Sequence, residues 1–66
     1  MGQSYLGFVT KQVNFRQGPG LDYSIIASLQ PETQIFVISI DTENGFYNVI
    51  DIATDIEGYI HKSFVS

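Results

Sequence analysis

Apolar and polar residues alternate with a period of two in several short runs, and glycine, proline and Asx-rich stretches punctuate them. In 13–16, "VNFR", Val13 and Phe15 share one side of an extended chain and Asn14 and Arg16 the other, the pattern of a half-buried strand. Gly18-Pro19-Gly20 cannot continue it. Proline lacks an amide donor and fixes φ, and glycine permits backbone angles closed to other residues. The same reading predicts strands over 5–11, 13–16, 25–29, 34–40, 46–52 and 59–61. Turns or loops fall at 17–24, 30–33, 41–45 and 53–58. The run "QIFVISI" (34–40) is nearly continuous in apolar residues, which predicts a strand covered on both faces. Asn44-Gly45 suits the left-handed angles of a tight hairpin, and "KSFV" (62–65) predicts a single helical turn. Only 21–30 offers a helical alternative, opposed by β-branched Ile25 and Ile26 and by Pro31. Short strands at close spacing, without an internal repeat, predict an all-β domain, a small barrel or sandwich.

Composition narrows this. A chain of 66 residues has room for one domain and one small core, burying roughly 60% of the surface its unfolded form exposes. An apolar fraction of 44% with five Phe and four Tyr is that of a globular chain with an aromatic-rich core. Cysteine is absent, so neither a disulfide nor a thiolate metal site is expected. The net charge is −4, with Lys11, Arg16 and Lys62 as the cationic side chains. No basic patch can neutralise several phosphates, so no nucleic-acid partner is expected, and anionic polymers are disfavoured. No apolar run approaches the roughly 20 residues of a membrane helix, so no membrane insertion is expected. The start, "MGQSYLGF", lacks a basic segment followed by an apolar one, and Leu6 stands where a myristoylation signal wants Ser or Thr. Residues 1–6 are read as the edge of a fragment of a longer precursor or as the start of the first strand, and 7–66 as the domain.

The order "VNFRQGPG", "YSIIASL", "NGFYNV" and "EGYIHKSFV" resembles the bacterial SH3-like (SH3b) domain family. The opening motif is matched by Val13, Asn14, Phe15, Arg16, Gly18 and Pro19. The hairpin is matched by Asn44, Gly45, Tyr47 and Val49, and the ending by Gly58, Ile60, Ser63, Phe64 and Val65. Three positions depart from the pattern: Phe46 and Tyr59 stand for tryptophans, and Glu32 for a glycine often seen before the central strand. The resemblance implies a small SH3-like partly open barrel of five to six short strands. It also implies an accessory module of cell-wall hydrolases or envelope proteins, periplasmic or extracellular, some of whose members bind peptidoglycan or its peptide cross-bridges.

Candidate residues carry alternatives. Arg16 either meets a ligand carboxylate through its planar fork or anchors the following loop by bonding backbone carbonyls. Asp22 and Tyr23 lie on that loop, where small β-domains place binding groups, and Tyr23 is either a stacking surface or a lid over the core. Strand parity sends Tyr47 to the side of Val49 and Phe46 to the other, and sends Tyr59 away from Ile60. Phe46 and Tyr59 then line a groove or form a secondary apolar cluster. His61, the lone histidine, is expected at the surface or capping a turn, since one histidine without further ligands makes no metal site. The acids follow no calcium-loop pattern. No catalytic constellation is visible, and neither cofactor nor metal is expected. The expectation is a monomeric, non-catalytic binding module using Tyr23, Phe46, Tyr59, Asp22 and Arg16 on peptidoglycan. The alternative is a structural module that packs against neighbouring domains or a partner protein.

Overall fold

Residues 2–66 are described by a computed structural model; Met1, part of the N-terminal reading above, lies outside the described residues. The alternating runs form six strands: β1 (Tyr5–Phe8), β2 (Val13–Arg16), β3 (Ile25–Leu29), β4 (Gln34–Val37), β5 (Phe46–Asp51) and β6 (Ile56–His61). A 3-10 turn follows at Lys62–Phe64. All neighbouring strands are antiparallel, in one sheet of order β1-β4-β5-β6-β2-β3. After the 3-10 turn the chain returns to β1. Phe8 and Ser66 exchange backbone hydrogen bonds of 3.0 and 2.9 Å, and Val9 bridges Val65. This return curls the sheet into a small, partly open barrel, the all-β architecture expected.

The core is the inward set of the alternation. Phe15 of β2, Ile35 and Val37 of β4, Val49 of β5 and Ile60 of β6 are buried, joined by Val9 and Leu29. Gly58 allows β6 to pass over this core. A Cβ there would stand 2.6 Å from the Phe15 ring and 2.7 Å from the Arg16 carbonyl oxygen.

Element boundaries differ from expectation where hydrogen bonds outweigh local pattern. β1 stops at Phe8 rather than residue 11, and β4 at Val37 rather than 40. Nor is β4 covered on both faces: Ile35 and Val37 are buried, Phe36 is half-buried, and Ile40 beyond it is 47% exposed. Its apolar continuity therefore marks an apolar outer surface, not a second covering layer. β6 begins at Ile56 rather than Tyr59, because Asp51 confines the preceding turn to 52–55. The Asp51 carboxylate, buried at 6% exposure, accepts from the Ala53 amide (3.2 Å) and the Thr54 hydroxyl (3.1 Å). Its carbonyl accepts from the Thr54 and Asp55 amides, with Asp55 at φ +61°. Ile56–Gly58 are thus in register with Val49–Asp51.

Candidate functional site

Three segments rise above the end of the sheet where β2, β5 and β6 meet. The first is the loop 17–24. A register shift between Phe15 and Arg16 ends the regular β2–β3 pairing. The loop then bonds to itself, with the Gln17 amide on the Ser24 carbonyl (2.9 Å) and the Gly20 amide on the Gly18 carbonyl (2.9 Å). Arg16 Nη1 donates to the carbonyls of Leu21 (3.1 Å) and Tyr23 (3.0 Å), so the arginine anchors the loop from below. The Tyr23 ring lies directly on Gly18, where any Cβ would collide with it. Among the described residues the positive-φ glycine is Gly45, at +82°. Position 18 therefore needs glycine for space, not for the unusual backbone angle expected from Gly-Pro-Gly.

The second segment is the β4–β5 hairpin. Asn44 (φ +54°) and Gly45 (φ +82°) form its two central residues, and Glu43 and Phe46 exchange backbone bonds of 3.1 and 2.9 Å. Positive φ at both centres is what a tight hairpin with the natural strand twist requires. The Asn44 side chain also donates to the Pro19 carbonyl (3.1 Å), tying this turn to the first loop.

The third segment is the 3-10 turn, joined to the hairpin by the Lys62 amide on the Gly45 carbonyl (2.9 Å). His61 caps it: the Ser63 amide donates to His61 Nδ1 at 3.2 Å, and the Ser63 hydroxyl lies 2.8 Å from the same atom. The imidazole stands edge-on to Phe46 (ring centroids 5.2 Å apart, 86° between planes) and to Phe64 (6.3 Å, 70°).

These segments enclose a cleft of about 630 Å³, bordered by Arg16, Leu21, Asn44, Phe46, His61 and Phe64 among others. That volume lies within the range of small-ligand sites. Among the described residues Arg16 is the one charged side chain lining it, although the chain carries seven acids. Away from the cleft, burial and then the neighbouring Tyr47 raise the Tyr5 phenol above its ordinary value.

Of the residues proposed from sequence, Arg16 and Phe46 border the cleft; Tyr23, Asp22 and Tyr59 do not. Phe46 does point opposite to Val49, but it is 7% exposed under His61, a buried wall rather than an outward platform. Tyr23 is half exposed over its own glycine loop and is not a lid over the core. Asp22 is exposed, and Tyr59 is half-buried opposite Asn48 and Arg16. Leu21, Asn44, His61 and Phe64 were not foreseen as lining residues. A signal existed for His61: a side-chain acceptor just before a predicted helical turn is held by that turn's free amides, which fixes its direction.

A family model described as the bacterial SH3 domain matches residues 11–66, which contain all three segments of the cleft. No curated protein and no solved structure matches the chain.

Proposed function

The chain belongs to the bacterial SH3 domain family, and from that membership we propose that it is a non-catalytic module holding a larger envelope protein or cell-wall hydrolase on peptidoglycan. One observation carries the reading: the family's opening, hairpin and closing motifs all converge on one concave surface, the 630 Å³ cleft. Its walls are apolar at Leu21, Phe46 and Phe64 and polar at Arg16, Asn44 and His61. Such a surface suits a short extended peptide, whose backbone needs hydrogen-bond partners while its small side chains need apolar contact. Peptide cross-bridges of the wall fit that description. The compartment under this reading is the cell envelope, periplasmic or extracellular.

The test is an amide NMR titration with soluble peptidoglycan fragments. Saturable shifts at Leu21, Asn44, Phe46 and His61 are expected. Absence of shifts at about 10 mM fragment, where even weak sites respond, removes the reading.

A second reading, packing against a neighbouring domain or partner protein, is favoured by the opposite part of the outer sheet surface. There Leu6, Phe36 and Ile50 stand in one cross-strand row with Leu6 and nearby Phe8 exposed. Shifts confined to that row on adding a partner domain would support it.

A further inference from the structure

We propose that His61 is a ligand-binding residue of the cleft and that, with Arg16, it receives the carboxylate of a short extended peptide. The inference rests on reading the cleft as the binding surface and specifies what that surface recognises.

The Ser63 backbone amide can only donate, and it points at His61 Nδ1 (3.2 Å). The lone pair is therefore on Nδ1, and the proton of the neutral ring is on Nε2. Nε2 takes no partner among the described residues. No fully buried side-chain nitrogen or oxygen among them lacks a partner, so Nε2 keeps some contact with solvent on a half-buried ring. Gly45 keeps it open, since a Cβ there would stand 2.8 Å from Nε2. Phe46 and Phe64 hold the ring from the sides. The result is a donor fixed in tautomer and direction before any ligand arrives, which lowers the ordering cost of binding.

Arg16 is prepared in a similar way. Nη1 is committed to two loop carbonyls, which fixes the guanidinium, while Nε and Nη2 have no bond to the described residues. A fixed guanidinium with free donors suits a carboxylate. Charge points to the same ligand class. The cleft lining carries one cation and, among the described residues, no acid. The chain as a whole is at −4, so a polyanion is repelled at long range. A peptide with a single terminal carboxylate meets the local field and largely escapes the global one.

The probes are acetyl-tetra-alanine with a free C-terminal carboxylate and the same peptide as its C-terminal amide, each titrated by NMR into the intact chain. The acid is expected to bind about tenfold more tightly, the worth of a charge-assisted hydrogen bond. Shifts are expected at Arg16, Asn44 and His61. The imidazole nitrogen spectrum is expected to show an Nε2–H ring before ligand and a moved Nε2 resonance after it. His61→Asn keeps a capping oxygen for Ser63 but places no donor at the Nε2 position, so it should lose the preference for acid over amide while remaining folded. Equal affinity for acid and amide overturns the carboxylate assignment. Retained preference in His61→Asn overturns the role of His61. If peptidoglycan fragments bind while both tetra-alanine peptides fail at about 10 mM, the inference falls and the wall-binding reading stands.

Discussion

Phe46 and Ile50 lie on the same face of the same strand, yet their surroundings are opposite. Phe46 sits at the end of β5 where loop 17–24, the Asn44-Gly45 turn and the 62–64 turn rise above the sheet, and it is buried by His61. Ile50 sits further along in the row with Phe36 and Leu6, and Leu6 is 69% exposed. Outward positions of one sheet thus become either a walled cleft with fixed donors or a flat apolar surface. The difference comes from what the neighbouring loops do. Alternation decides which residues leave the core; loops anchored by Arg16, Asn44 and His61 decide whether those residues form a site.

The sharpest way to break the comparison is to truncate one residue from each region. Phe46→Ala should cost about 3 kcal/mol in urea unfolding, near the low end for a buried phenylalanine because it lies outside the main core. It should also broaden the His61 and Phe64 resonances. A loss below about 1 kcal/mol would mean that the ring is not a wall of the cleft. Gly18→Val should cost roughly 1–2 kcal/mol, since the Tyr23 ring must leave its seat. Shifts should spread through 17–24 and spare the Leu6 row; an unchanged melting curve would contradict the close contact.

Two smaller effects test the flat side. Glu32 holds φ at +71°, a conformation that costs a side chain-bearing residue about 1 kcal/mol. Glu32→Gly should raise stability by up to about 1 kcal/mol, reduced by the greater freedom of glycine in the unfolded chain. Destabilisation would show that the carboxylate makes a contact worth more than the strain. Leu6→Ser should change stability by less than about 0.5 kcal/mol, as for other exposed positions. A loss comparable with that of Phe46→Ala would erase the contrast between the two regions.

Much of the fold was legible locally. β2 falls where alternation predicts it, β3 where the β-branched run 25–29 does, and Asn44-Gly45 makes the expected hairpin, because strand parity, β-branching and positive-φ preference are properties of neighbouring residues. The 62–65 segment likewise makes its helical turn. The pattern places β6 three residues late because the turn before it is held by the Asp51 side chain, whose partners a hydrophobic pattern does not reveal. The candidate site was legible only in part. Arg16 and Phe46 were named, but Leu21, Asn44, His61 and Phe64 reach the cleft from segments up to dozens of residues apart in the chain.

The sequence by itself determined that the chain is all-β, which residues alternate inward, where the tight hairpin turns and which family the motifs resemble. The first three are set by side-chain period or by backbone preference within a few residues, and the resemblance by the order of four motifs along the chain. Tertiary structure alone decided that Gly18 serves the Tyr23 ring, that Phe46 is a covered wall and Leu6 an open surface, and that His61 turns a capped Nδ1 to Ser63 and leaves Nε2 beside Gly45. Those outcomes depend on contacts between segments far apart in the chain, such as Asn44 with Pro19 and Phe46 with His61. A local pattern carries no record of which distant group will fill the space above it.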